Sequence, residues 1–158
     1  METDPLFFDT GAIDFLYDPA LVGFWKRFGS EPKYFTSPVV YWEYVRQFDP
    51  GKYAPPRALF QKLLEKGTFE FLHFGREEAD VAHELYIGLR KSLGSGPQAK
   101  IKMKDLHCDM IIAATALRRQ IRVLTGDIKD WSLILTVAQS RDVGSLKVLD
   151  KKDIQPGL

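Results

Sequence analysis

Apolar residues in this chain alternate between short continuous runs and helical spacings, with polar or turn-forming residues between them. Leu6 to Phe8 is an apolar run of the kind expected for a short strand buried on both faces. Thr10 to Tyr17 follows, with Ile13, Leu16 and Tyr17 at helical spacing. Asp18-Pro19 reads as an N-cap and a proline at the first helical position, opening a helix with the apolar face Leu21, Phe24, Trp25 and Phe28. After the Gly29-Ser30-Glu31-Pro32 loop, Tyr34 to Thr36 predicts a short strand. Ser37-Pro38 caps and opens the next helix, which runs through Val39, Tyr41, Trp42, Val45 and Phe48 and ends at Asp49-Pro50-Gly51. Pro55-Pro56 starts another, with Leu59, Phe60, Leu63 and Leu64 as its stripe and Gly67 as its stop.

The second half repeats the alternation. Thr68 to Phe74 is aromatic and strand-like, and Glu77 to Leu93 is helical through Ala79, Val81, Ala82, Leu85, Tyr86 and Leu89. The Gly94-Ser95-Gly96-Pro97 loop leads into a basic segment, Lys100 to Lys104. Asp105 to Arg119 predicts one helix, Val123 to Thr125 a strand, and Leu146 to Leu149 a last strand. Short strands separated by helices predict an α/β fold, a three-layer α/β/α domain around a short, mainly parallel sheet. No repeat, low-complexity tract or long linker interrupts the chain, so residues 1–158 are expected to form one domain. Ligands in such folds sit at the carboxyl ends of the strands, where Asp9 and Asp127 fall.

Composition narrows the function. The chain is 45% hydrophobic and 27% charged, and its formal charge of +1 supplies no global basic field for nucleic acid. A local patch has to do that work. No apolar run reaches the roughly 18 residues of a membrane span. The N-terminus is acidic where a signal peptide is basic, and the one cysteine, Cys108, fits a reducing compartment. A cytoplasmic protein is expected.

The candidate chemistry lies in acids at the ends of apolar elements. Asp9 follows the first strand, and alone it reads first as a helix N-cap. Glu43 stands between Trp42 and Tyr44 in a helix, where it reads equally as a solvated side chain. Asp109 heads the apolar helical stretch, and Asp105 one turn earlier would share its face. Asp127 and Asp130 follow the strand ending in Thr125-Gly126, where turn chemistry is the plain alternative. Each plain reading holds singly. A parallel sheet that gathers strand ends would bring several of these acids together, and gathered carboxylates call for a cation.

The same residues resemble the PIN domain, the nuclease fold of many ribonuclease toxins of the VapC-like group. Phe7-Phe8-Asp9-Thr10 resembles the family's first motif, and Glu43 its second. Asp109-Met110-Ile111-Ile112-Ala113-Ala114-Thr115-Ala116 is very close to the third, and Leu124-Thr125-Gly126-Asp127 with Asp130-Trp131 resembles the fourth. Two departures stand out: Gly11 replaces a commoner small polar residue, and the stretch from Arg90 to Lys104 is lengthened. The resemblance implies an endoribonuclease using Mg²⁺ or Mn²⁺, hard cations that take oxygen ligands. It assigns Asp9, Asp109 and Asp127 as metal ligands and Glu43 as a ligand or orienter of water, with Asp105 and Asp130 as second choices. Lys100, Lys102 and Lys104 are candidates for phosphate contacts, with a solvated loop as the plain alternative. The implied biology is the toxin of a toxin–antitoxin pair, a homodimer with RNA as substrate and a small antitoxin as partner.

Rival signals are weaker. Asp9-Thr10-Gly11 resembles an aspartic-protease signature, but that class is almost wholly β. A haloacid-dehalogenase-type phosphatase needs an acid where Gly11 stands. Gly94 to Lys100 follows a helix and lacks phosphate-loop spacing. His73, His83 and His107 form no pair at metal-ligand spacing, and Cys108 reads as a small core residue. The alternative of a different class is a PIN-like nucleic-acid or protein binding module without nuclease activity.

Overall fold

Three consecutive apolar residues leave a strand no face to turn to solvent, so Leu6-Phe7-Phe8 has to lie inside a sheet covered on both sides. In the computed structural model, which describes residues 4–21, 34–47 and 55–155 (Pro55 and Pro56 by backbone alone), these residues are 0% exposed. They form β1 (Leu6–Phe8), the middle of a five-stranded parallel sheet. Its companions are β2 (Tyr34–Thr36), β3 (Phe69–Phe71), β4 (Arg122–Leu124) and β5 (Val148–Leu149), in the order β3-β2-β1-β4-β5. Phe7 is in register with Phe35 on one side and with Val123 on the other.

The chain moves outward from β1 to β3, then returns across the sheet to β4 and β5. With right-handed crossovers, that reversal puts the helices before β3 on one face and those after it on the other. The first group is a 3-10 helix (Thr10–Tyr17), a 3-10 turn (Pro19–Leu21), α1 (Pro38–Val45) and α2 (Pro55–Glu65). The second is α3 (Arg76–Leu93), α4 (Pro97–Asp105), α5 (His107–Arg119) and α6 (Ile128–Ser140), with α7 (Lys151–Ile154) after β5. The result is the expected three-layer α/β/α arrangement around a short parallel sheet. Among the described residues no helix is long and apolar enough to cross a membrane.

Local chemistry sets several boundaries. Ser37 Oγ accepts from the Val40 N–H at 3.2 Å, with Pro38 at the first helical position. Gly67 stops the helix before β3 at φ +74°, a conformation open to glycine. The Thr10–Tyr17 segment is helical, but as a 3-10 helix closed by Asp18 N–H onto the Phe15 carbonyl. Asp18 does cap the Pro19 turn, through Ala20 N–H, but the described part of that turn ends at Leu21. Phe24, Trp25, Phe28, Phe48 and the Asp49-Pro50-Gly51 stop lie outside the described residues.

Two expectations are corrected. The basic segment is no loop: Lys100 to Lys104 lies in α4, because Pro97 opens a helix that Met103 anchors in the core. Nor is Asp105 to Arg119 one helix. The chain breaks at Leu106, which ends α4 and opens α5 at φ −86°, ψ −2° with its side chain fully buried. Asp105 and Asp109 therefore lie on different helices, and the one-turn spacing argument fails for them.

The helices after β3 are held by a dense interface. Arg118 and Arg119 at the end of α5 pair with Glu77 and Glu78 at the start of α3, so the two helices run antiparallel. Gly88 faces α6, where an added Cβ would stand 2.3 Å from Val137 Cγ1 and 3.1 Å from Arg141 Cγ. Alanine gains about 1 kcal/mol of helix propensity over glycine, but overpacking a tight interface costs about 1–3 kcal/mol. Gly88→Ala is therefore expected to lower stability by about 1–2 kcal/mol in urea unfolding. An unchanged or raised midpoint would contradict this packing.

Candidate active site

The sheet reverses its winding between β1 and β4, and the crevice outside their carboxyl ends is the natural place for a ligand. Asp9 lies there, with 5% of its surface exposed. Its N–H donates to the Leu124 carbonyl at 3.0 Å, which extends the β1–β4 ladder by one residue. A carboxylate at that depth needs donors. Thr10 N–H supplies one to Oδ1 at 2.7 Å; the Thr125 hydroxyl and the Trp131 indole N–H supply two to Oδ2, both at 2.8 Å.

From Asp9 the network spreads in two directions. Thr10 Oγ1 donates to Glu43 Oε1 at 2.8 Å, which ties α1 to the end of β1. The outer oxygen of Glu43 lies 3.7 Å from Arg46, whose guanidinium stacks 4.3 Å from the Trp42 ring centroid. On the other side, Thr125 Oγ1 accepts from Asp127 N–H at 3.0 Å, and Asp127 Oδ1 caps α6 by accepting from Asp130 N–H at 3.3 Å. Asp130 itself accepts from Lys102 Nζ at 2.6 Å. Asp130 and, at longer range, Asp127 and Asp105 hold the Lys102 ammonium above its ordinary pKa.

Asp109 differs from all of these. It sits in the first turn of α5, half-buried, and no described residue gives it a hydrogen bond or an ion pair. Burial and then the charges of Asp9, Glu43, Asp130 and Asp127 push its carboxyl from 3.8 up to about 7. The structure thus brings Asp9, Glu43, Asp109, Asp127 and Asp130 into one electrostatic neighbourhood. Asp105 is not among the charges acting on Asp109; it bears on Lys102. Cys108, next to Glu43, has its thiol pushed up by burial first and by that carboxylate second, which leaves it a poor nucleophile.

The lysine cluster splits. Lys102 turns toward Asp130, while Lys100 and Lys104 line a cavity with Arg90 and His107. The plain readings of the acids also have substance, since Asp9 and Asp127 do serve as N-caps. Sequence reasoning left three supporting side chains without a role: Thr10, Thr125 and Trp131. The loops after β1 and β4 touch at two glycines: a Cβ on Gly126 would stand 3.3 Å from the Gly11 carbonyl oxygen, while one on Gly11 would make an ordinary 3.4 Å contact with the Gly126 backbone.

Among the described residues no three His, Cys, Asp or Glu side chains close into a ready-made metal group. By donor chemistry the residues nonetheless fit a hard divalent cation. The acids offer oxygen alone, and Asp109 stands unpaired in a negative field that a cation would relieve.

Comparison with known proteins bears on the same residues. The sequence pattern of the PIN domain matches residues 7–132. No curated protein matches the sequence. Among solved structures, the DNA-bound VapBC of Salmonella typhimurium superposes with TM-score 0.59 at 15% identity, covering 93% of this chain and 98% of that one. VapBC2 of Rickettsia felis, bound to a promoter fragment, gives 0.59 at 17% identity over 92% of this chain and 98% of that one. FitAB bound to a DNA fragment gives 0.58 at 15% identity over 92% and 94%. At these identities the likeness establishes the fold.

Asp109 carries a pH prediction. The folded protein holds its proton more tightly than the unfolded chain, so this group's contribution falls as pH rises from about 4 to about 7 and is level beyond. Asp109→Asn removes that loss. In metal-free urea unfolding the variant is expected to match the wild type near pH 3 and to exceed it by about 1–2 kcal/mol near pH 8, after allowance for solvent screening. Equal stability at both pH values would show that the acids do not share one field.

Proposed function

The chain belongs to the PIN domain family, and on that premise we propose that it is an endoribonuclease dependent on Mg²⁺ or Mn²⁺. The observation that carries this reading is the donor-free Asp109 carboxylate in the combined field of Asp9, Glu43, Asp127 and Asp130 at the sheet's switch point. A structural protein gains nothing from that repulsion; a site that takes up a cation does. Asp9, Asp109 and Asp127 would hold the ion, directly or through water. A bound ion of this kind lowers the pKa of a water and offsets charge on phosphate oxygens.

The chain's own residues prepare the rest. Thr125 and Trp131 lock the Asp9 carboxylate in orientation, as supporting shells do in metal sites generally. Thr10 holds Oε1 of Glu43, and the other oxygen, 3.7 Å from Arg46, would orient a water. Lys102 neutralises Asp130, so Asp130 balances charge at the rim rather than joining the ligands. Lys100 and Lys104 would meet phosphates beyond the cut.

We extend the proposal to the biological role: the toxin of a toxin–antitoxin pair, homodimeric and held in check by a small antitoxin. The superposition with VapBC and FitAB assemblies supports this role. Co-production with the product of an adjacent reading frame should then suppress its activity.

With Mn²⁺ the purified protein is expected to cut labelled structured RNA and to stop when the metal is chelated. Asp109→Asn should lower the rate by at least about 100-fold while the protein stays folded. Thr125→Val, which removes only a support, should cost about 10–100-fold. RNA that is bound and left intact at every metal concentration would reassign the protein as a binding module.

A further inference from the structure

Beside the acidic centre, across α4, lie two adjoining cavities. One, of ≈ 330 Å³, is lined by Tyr86, Arg90, Lys100, Met103, Lys104 and His107, among others. The second, of ≈ 460 Å³, shares Tyr86 and Arg90 and adds Lys91. His107 of the first cavity and Asp109 of the acidic centre both lie in the first turn of α5, on different sides of it. On α4, Lys100 and Lys104 are one turn apart, about 200° around the helix from Lys102. One short helix therefore offers a lysine to Asp130 on one side and two to the cavity on the other. The separation between the two sides is about one helix diameter, roughly 10 Å.

The charge pattern is selective. Arg118, Arg119 and Arg141, on neighbouring helices, are each tied to a glutamate of α3. Arg90, Lys91, Lys100 and Lys104, which line these cavities, have no acidic partner among the described residues. Cations sharing one concave wall repel one another until an anion joins them. The start of α4 opens on the same space: its cap, Gly96, brings no side chain to the first helical N–H groups, and Gly94, Ser95 and Ala99 form part of the wall.

The aromatic component decides the class of anion. Tyr86 is 36% exposed, and its ring centroid is 6.4 Å from that of His107. An acidic peptide would use the cations and leave the ring idle. Single-stranded RNA uses both, its phosphates meeting the cations and an unstacked base lying on the aromatic face.

Resting on the nuclease reading of the acidic centre, we propose that this basic and aromatic pocket is a second RNA subsite. It holds a phosphate and an unstacked base of the single-stranded stretch adjoining the nucleotide that is cut. Specificity for RNA context then comes from α3 and α4, while the acids supply reactivity.

The test is equilibrium binding of a labelled single-stranded oligoribonucleotide to the full chain, followed by fluorescence anisotropy over a salt series in EDTA. The variants are Lys100→Gln with Lys104→Gln, Tyr86→Ala and Tyr86→Phe. All alter exposed side chains, and thermal melts verify that each is folded. The lysine pair is expected to weaken binding about 10-fold and to flatten the salt slope by about 1.4, two phosphate contacts at about 0.7 each. Tyr86→Ala should weaken binding about 10-fold with the slope retained, and Tyr86→Phe, which keeps the stacking face, should bind as wild type. Binding that depends on the pocket without any cleavage in Mn²⁺ would uphold the subsite and overturn the nuclease reading alone. Wild-type affinity and slope in the lysine pair and in Tyr86→Ala would overturn the subsite.

Discussion

A carboxylate buried at the end of the central strand must be given donors, and those of Asp9 come from three places in the chain: Thr10, Thr125 and Trp131. An unpaired ionised group at that depth would cost several kcal/mol, so the position of this one side chain constrains whatever surrounds it. Thr125 reaches Asp9 because β4 pairs with β1 and the ladder continues through the Leu124 carbonyl. Trp131 reaches it because α6, capped by Asp127, turns its first buried residue back into the core. Satisfying Asp9 thus sets where α6 begins and where Asp127 stands. Through Thr10 it also sets where Glu43 stands.

Asp109 is the counterweight. Asp9 is fully provided for; Asp109 receives no donor, and its neighbours push its carboxyl up to about 7. The apolar stretch Met110 to Leu117 packs α5 into the core with enough rigidity to hold the acid there against the repulsion. The Arg118 and Arg119 pairs clamp the far end of the same helix to α3. Local destabilisation supported by ordinary packing elsewhere is the pattern expected where function, not stability, selects a residue.

Much of this was legible in the sequence. The Leu6–Phe8 run, the Ser37-Pro38 cap and the acids following apolar segments are local signals, and local signals survive folding. Asp9 and Asp127 fall near each other because neighbouring parallel strands end together, which the alternation of elements already implied; Glu43 and Asp109 are brought to them by helices. What escaped depends on tertiary position. The break at Leu106 leaves no mark in composition, since its cause is one buried side chain at a helix-compatible angle. That break separates Asp105 from Asp109. The lysines at 100, 102 and 104 look like one cluster on paper, yet helical geometry sends the middle one to the opposite side. In α6 the helical spacing of Trp131, Ile134, Val137 and Ala138 is overlaid at its start by the turn chemistry of Gly126 and Asp127. The roles of Thr125 and Trp131 as donors to a residue more than a hundred positions away were beyond any local pattern.

The central claim is that Asp9, Asp109 and Asp127 belong to one cation site. Anomalous diffraction from crystals soaked in Mn²⁺ tests it most directly. The claim predicts a peak in the crevice between β1 and β4 with oxygens of Asp9 and Asp109 at about 2–2.5 Å, and Asp127 in contact directly or through one water. A Mn²⁺ peak elsewhere, or none with Asp109 turned out of the crevice, would contradict it.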